Sequence, residues 1–238
     1  MKKSTIYHRF FGDFNLSEEL LTLTDPELLH QLKTVLRFKV GDDLVLVSNK
    51  KEALVSINSL SPKEGTVFIR ETNEEKDPVK RVLHLYLSLL KRDNFELAVA
   101  KAVECGATTI TPIITSRTIK TGLNKERIIR IIKEGAEQSG RMIIPSLNPT
   151  LSFRDALLHS VTLGNVGFIG DTTLPTETSP TLPLNKNLAL FIGPEGGFSE
   201  EELLLAKRQS IVPFSLGESI LRAETAVIVA VHRFSQGN

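Results

Sequence analysis

The sequence predicts an α/β protein in two parts: a small N-terminal β-barrel with one helix over residues 1–75, and a larger domain on a mostly parallel sheet over residues 76–238. Three observations carry this. Short strand-like runs separated by polar turns fill the first third of the chain. Strand-like and helix-like stretches then alternate to the C-terminus, the pattern of a parallel sheet with helical crossovers. Between the two lie residues 71–80, which are charged, lack apolar periodicity and contain a proline; they read as a linker with a break near residue 75. At 238 residues, with 41% hydrophobic and 24% charged side chains, the chain can bury a sizeable core and is neither disordered nor collagen-like.

In the first part, Thr24-Asp25-Pro26-Glu27 reads as a helix start, a capping side chain followed by proline at an early helical position. Leu28, Leu29, Leu32, Val35 and Leu36 follow at helical spacing. After Gly41-Asp42 the pattern changes to short strands over 44–47, 53–57 and 66–70, with polar turns at 48–50 and 61–65. In the second part, strands are expected over 82–90 and 109–115, and helices over 93–104, ending before Gly106, and over 125–138. Residues 166–170 and 188–192 read as short buried strands. Ser199 with Glu202 three residues on is a capping box. From Ile220 the Ala- and Val-rich tail reads as a helix packed on most sides.

The formal net charge of +1 hides an uneven distribution. Residues 1–75 hold 10 basic and 12 acidic side chains, residues 76–145 hold 13 and 7, and residues 146–238 hold 6 and 9. A basic middle block marks a nucleic-acid or anion face, or equally a solvated helix surface. The single cysteine, Cys105, excludes a disulfide scaffold, and a reducing cytosol is the expected setting. The five histidines are scattered without a His-x-x-x-His pair, so no metal site is expected. The first ten residues turn polar too soon for a signal peptide. Apolar runs such as 226–231 fall far short of the ~20 residues that span a bilayer, so no membrane association is expected.

Three local features are candidates for chemistry. The apolar run 188–192 feeds Gly193-Pro194-Glu195-Gly196-Gly197 and then the capped helix. Ligands in parallel sheets sit at such strand ends, where glycine lets backbone approach closely. No lysine follows, so the loop is not a P-loop. Spacing alone fits a tight structural turn as well. The second feature is Leu216-Gly217, leading through Ile220-Leu221 to Arg222 and Glu224 in the first turns of the last helix. This pair suits stabilising and orienting a developing anion, and suits an ion pair as well. The third is Glu137-Gln138-Ser139-Gly140-Arg141, which holds base- and phosphate-contacting residue types; equally, Gly140 can be a left-handed helix cap with Arg141 facing the dipole.

Taken in order, these blocks resemble one family. His30 through Val35-Leu36-Arg37 with Gly41-Asp42, Lys101 and Glu104 through Gly106, Ile110-Thr111-Pro112, Ser116-Arg117, residues 136–141, residues 191–197 and residues 216–226 are similar to the bacterial small-subunit ribosomal RNA uridine N3-methyltransferases, members of the SPOUT class. The resemblance covers nearly the whole chain. It implies a PUA-like, RNA-binding β-barrel followed by a SPOUT α/β domain with a deep trefoil knot, and a homodimer in the cytoplasm. It implies S-adenosylmethionine as methyl donor and, as substrate, a uridine near the 3′ end of 16S rRNA in the small ribosomal subunit.

The residues suit the implied chemistry. The donor carries no phosphate, which agrees with a loop lacking a phosphate-binding lysine. Its adenine needs an apolar slot, for which Leu216, Gly217, Ile220 and Leu221 are expected; Gly193, Gly196 and Gly197 would close around it, with Gly170 at a third strand end. Uracil N3 must lose a proton before it attacks a methyl group, and Glu195 or Glu224 is the expected acceptor. Arg222 would stabilise charge on the uracil carbonyl oxygens. RNA contacts are expected from Arg9, Arg37, Arg92, Arg117, Gln138 and Arg141, since arginine binds phosphate in bidentate fashion and stacks on unpaired bases.

The chain departs from the family pattern at Ser219, where arginine is common, at Arg92, where glycine is usual, and at Cys105, where leucine is usual. The first removes a cation near the implied site. Two other readings fit the sequence: a non-catalytic RNA-binding module, and a related SPOUT enzyme acting on tRNA.

Overall fold

The computed structural model describes residues 7–74, 81–119, 122–174, 180–183 and 185–236. The chain divides into two compact units, Met1–Pro78 with Glu137–Ile143, and Val79–Ala136 with Ile144–Asn238.

The first unit contains β1 (Arg9–Phe11), β2 (Leu20–Leu23), α1 (Pro26–His30), β3 (Asp43–Ser48), β4 (Lys51–Leu60) and β5 (Gly65–Glu74). The strands form one sheet in the order β1-β3-β4-β5-β2. The β1–β3 pair is parallel and the others are antiparallel. Leu29, Leu32, Leu44, Leu46, Val55 and Ile57 are the centre of its core.

Asp25, rather than Thr24, caps α1: its Oδ1 accepts from Glu27 N–H at 2.8 Å and Leu28 N–H at 3.4 Å. Pro26 takes the first helical position, where a missing N–H loses no bond. The helix then widens into a π-helical turn over Gln31–Val35, closed by Leu36 N–H on the Gln31 carbonyl at 2.9 Å. The wider turn shifts the helical phase, so Val35, expected on the apolar face, is 61% exposed.

The expected linker is corrected at its start. Residues 71–74 continue β5, with Leu54 opposite Glu71 and Lys51 opposite Glu74. This end of the strand is exposed, so pairing rather than apolar alternation holds it, and Lys51 and Glu74 form an ion pair across it. Residues 75–80, where the break was expected, lie outside the described residues. Within the same unit, Phe11 N–H donates to Glu137 Oε1 at 3.0 Å, tying β1 to the Glu137–Ile143 segment.

The second unit contains β6 (Leu83–Ser88), α2 (Arg92–Cys105), β7 (Thr109–Ile114), most of α3 (Lys125–Gln138), β8 (Ser146–Leu147), β9 (Leu151–Ser152), α4 (Phe153–Thr162), β10 (Val166–Gly170), β11 (Leu188–Ile192), α5 (Glu200–Arg208), β12 (Val212–Phe214) and α6 (Ala223–Gln236). The described strands make a parallel sheet in the order β12-β10-β11-β6-β7-β8, with β9 also on β7. Every residue of β6 and β11 is buried, as parallel strands covered on both faces must be. Side chains of α4 and α5 pack with Tyr86, Ile113, Ile169 and Phe191. Phe234 of α6 meets Phe168 and Phe214. Phe168 and Ile169 are adjacent on a strand, so these are opposite faces of the sheet. The α4 helix, which the strand-and-helix count above does not include, is capped by Ser152 on Asp155 N–H and buries Phe153, Ala156, Leu157 and Ser160.

A polar cluster lies buried on the α4 side. The His84 ring stacks on Tyr86 at 4.1 Å, and its Nε2 is 2.7 Å from Thr111 Oγ1. The Tyr86 hydroxyl is 2.9 Å from His159 Nδ1. Burial, helped by the neighbouring His159, pulls His84 from 6.5 down to about 3. Burial also pushes the Tyr86 hydroxyl upward.

Candidate active site

Four neighbouring parallel strands, β12, β10, β11 and β6, end at one edge of the second unit's sheet. Parallel pairing brings their C-terminal loops together, and between these loops lies a cavity of about 610 Å³. That volume is within the range of small-molecule sites.

Each loop takes its shape from local rules. After β11, Pro194 and Gly197 close a tight turn, the Gly197 N–H donating to the Pro194 carbonyl at 2.8 Å. Gly197 holds φ +67°, and nothing lies within 4 Å of where its Cβ would be, so the turn needs glycine for backbone freedom. The loop then enters α5 through the expected capping box: Ser199 Oγ accepts from Glu202 N–H at 3.2 Å, and Glu202 Oε2 accepts from Ser199 N–H at 2.9 Å. After β12, Gly217 sits at φ +130°, and its N–H donates to Ser215 Oγ at 3.4 Å. After β10, Asp171 N–H donates to the Phe214 carbonyl at 2.9 Å, joining the second loop to the third.

The structure brings all the expected cofactor-binding and catalytic residues to this cavity. Gly170, Gly193, Gly196, Gly197, Leu216, Gly217, Ile220 and Leu221 line it, as do Glu195, Arg222 and Glu224. Arg222 differs from expectation in one respect. The helix starts at Ala223, and Arg222 precedes it, its carbonyl accepting the Ala226 N–H at 2.8 Å. Its side chain is exposed.

The two carboxylates have unlike surroundings. Glu195 is exposed, and its Oε1 accepts from the Lys91 N–H at 3.4 Å. Glu224 is only 9% exposed, and among the described residues its Oε2 has no hydrogen-bond partner. Glu224 lines the cavity while its Oε2 is itself out of solvent reach, and a buried carboxylate oxygen without a donor sets this glutamate apart from Glu195. Asp171 and Ser215, in the loops after β10 and β12, also line the cavity, as do Lys91 and Asn94, which were not singled out from the sequence. Lys91 and Asn94 follow β6, and parallel pairing of β6 with β11 is what brings them here; no local motif marks them.

The expected RNA contacts do not form one group. Arg9, Arg37, Gln138 and Arg141 belong to the first unit. Arg9 is half-buried and ion-paired with Glu52. Arg37 is exposed, at φ +57° just after the π-helical turn. Gln138 is exposed and Arg141 half-buried, on either side of Gly140, which has the left-handed conformation expected of a helix cap at φ +76°. Arg117, in the second unit, donates from Nη1 to the Gly196 carbonyl at 2.5 Å. The Arg92 side chain lies outside the described residues.

Among the described residues no group of three His, Cys, Asp or Glu side chains could hold a metal ion, and no helix is long and apolar enough to cross a membrane.

Comparison with known proteins identifies the lineage. The RNA methyltransferase domain profile matches residues 76–235. A ribosomal RNA small subunit methyltransferase E from Rickettsia conorii is 32% identical over 94% of this chain and 93% of its own length. The protein of the same name from Synechocystis is 34% identical over 90% of this chain and 72% of its own. The chain belongs to the ribosomal RNA small subunit methyltransferase E family. In structure it is similar to the methyltransferase E of Neisseria gonorrhoeae bound to S-adenosyl methionine, with a TM-score of 0.85, 26% identity, and coverage of 97% of this chain and 98% of that one. Methyltransferase E proteins are thus similar to this chain through both units, not through the α/β unit alone.

Proposed function

We propose that the chain methylates N3 of one uridine near the 3′ end of 16S rRNA, using S-adenosylmethionine and acting on the small ribosomal subunit. The observation that carries this is the glycine-lined cavity at the strand ends, whose wall holds the exposed Arg222 and also Glu224, with a buried Oε2 that has no partner among the described residues. Membership of the methyltransferase E family and likeness to a structure bound to S-adenosyl methionine support it.

The residues present fit the cofactor. Leu216, Ile220, Leu221 and Ile192 offer an apolar wall for a purine ring. Gly197 and Gly217 leave open the space a Cβ would fill, so backbone can close on a ligand. Four carboxylates in the lining, Glu195, Asp171, Glu218 and Glu224, suit a ligand that carries positive charge. When bound, S-adenosylmethionine supplies an electrophilic methyl group on a positively charged sulfur.

The chain's own part is to bind, orient and move a proton. Glu224, in the cavity wall, takes the uracil N3 proton on its carboxylate as the N3–CH3 bond forms and the S–CH3 bond breaks. Glu195, engaged with the Lys91 N–H, lines the site without that role. Arg222, exposed at the cavity, faces the uracil carbonyl oxygens as they gain charge. Arg9, Arg37, Gln138 and Arg141, all of the PUA-like part, contact RNA. A homodimer, a knotted SPOUT domain and a cytoplasmic setting follow from the family resemblance.

The test is transfer of labelled methyl groups to purified small subunits lacking the modification. The reading expects one N3-methyluridine per 16S rRNA. Labelling of tRNA instead, or no binding of S-adenosylmethionine at millimolar concentration in a calorimeter, contradicts it.

A further inference from the structure

The loop Gly193–Gly197 is held from outside its own strand. On one side the Lys91 N–H, at the start of α2, donates to Glu195 Oε1 at 3.4 Å. On the other side stands the connection after β7. Arg117 Nη1 donates to the Gly196 carbonyl at 2.5 Å. Next to it, Ser116 gives Glu202 two bonds, N–H to Oε1 at 2.8 Å and hydroxyl to Oε2 at 3.0 Å, while Glu202 also closes the capping box on Ser199. The segment Gly193–Glu202 is thus pinned at Glu195, at Gly196 and at its entry into α5.

Arg117 makes the most intimate of these contacts. A Cβ on Gly196 would stand 3.3 Å from Arg117 Cδ and 3.6 Å from Arg117 Cβ. The aliphatic stem therefore lies on the glycine, and its guanidinium reaches over to the carbonyl. Gly196 is a line of contact between two sequence blocks 79 residues apart, as well as a wall of the cavity. A charged donor on a carbonyl makes one of the stronger hydrogen bonds available, and a planar guanidinium holds direction as well as distance.

We propose that Arg117 is a positioning residue for the cofactor: through the Gly196 carbonyl it fixes the loop that lines the cavity, and so sets affinity for S-adenosylmethionine rather than contacting RNA. This rests on the cofactor reading above. It also reassigns a cation that the sequence places with the RNA contacts. Lysine at this position keeps the charge but not the planar fork or its reach, so charge and positioning are separable.

The experiment uses the full chain as wild type and as Arg117→Ala, Arg117→Lys and Ser116→Ala. Calorimetry measures binding of S-adenosylmethionine, and filter binding measures small-subunit RNA across a salt series. Arg117→Ala is expected to raise Kd for S-adenosylmethionine about tenfold. Arg117→Lys and Ser116→Ala should raise it by smaller factors. KM for the cofactor should rise with kcat nearly constant, and the slope of log K for RNA against log salt should not change in any variant. Arg117→Ala with wild-type cofactor affinity overturns the proposal, all the more if its RNA slope falls by ~0.7, the signature of one lost phosphate contact. Should Arg117→Ala lose its fold, wild-type affinity in both other variants overturns it. If the wild type itself binds no cofactor, the underlying function reading falls and takes this one with it; normal wild-type binding with normal variants sinks the positioning role alone.

Discussion

Replacing Glu224 with glutamine exchanges one oxygen for an amide and leaves size and shape almost unchanged. Glu224 is 9% exposed, and its Oε2 has no partner among the described residues. An unsatisfied buried polar atom costs about 1–3 kcal/mol, and a charge costs more. Removing the charge should therefore raise unfolding free energy by ~1 kcal/mol, or ~2–4 °C in Tm for a chain of this size. The same substitution removes the proton acceptor, which general-base catalysis values at about 10²–10⁴ in rate. The predicted changes have opposite signs, stability up and turnover down. A glutamate that merely packs would give a small change in both. Thermal unfolding followed by circular dichroism gives the first quantity. Initial rates of uridine methylation at saturating S-adenosylmethionine give the second. A glutamine variant with wild-type turnover refutes the role as proton acceptor. One that melts several degrees lower refutes the reasoning about an unpaired buried charge.

Two further predictions concern other parts of the molecule. His84 is held near 3 against an ordinary 6.5, so below pH 6.5 the unfolded chain takes up a proton that the folded chain refuses. Stability should fall as pH drops through that window, by up to ~1.4 kcal/mol per unit from this group; urea unfolding of His84→Gln at pH 4 to 7 should show a shallower slope, and an unchanged slope contradicts the assignment. Arg37 holds φ +57°, a conformation glycine adopts without strain. Arg37→Gly should leave stability unchanged or raise it by up to ~1 kcal/mol, yet lower the salt slope of RNA binding by ~0.7; an unchanged slope removes Arg37 from the RNA surface.

Features encoded within a few residues were legible in the sequence. The capping box of Ser199 and Glu202, the Asp25-Pro26 helix start and the apolar runs of β10 and β11 all appear where local chemistry puts them. So does the clustering of the glycine loops, because parallel pairing carries strand ends to one edge. What escaped was set by partners far away in the chain. Residues 71–74 have no apolar pattern, and only pairing with Lys51–Leu54 makes them strand. The segment Glu137–Ile143 continues α3 in sequence but groups with the first unit, where Glu137 accepts from Phe11 N–H. The Ser152 cap and the buried spacing of Phe153, Ala156 and Leu157 were a usable signal for α4. Nothing local distinguishes Glu224 from Glu195. Burial separates them, and burial depends on how α6 packs.

The acidic lining also bears on Ser219, which lines the cavity where the family resemblance leads to the expectation of an arginine. With serine there, Arg222 is the one arginine along the cavity wall among the described residues, and the electrostatic role falls to it.

The central claim concerns one atom of one nucleotide. Mass spectrometry of 16S rRNA from a strain lacking this chain tests it most directly. A single N3-methyluridine near the 3′ end is expected to disappear, and to return with the wild-type chain but not with Arg222→Ala. Retention of that methyl group in the deletion strain, or its full return with Arg222→Ala, would contradict it.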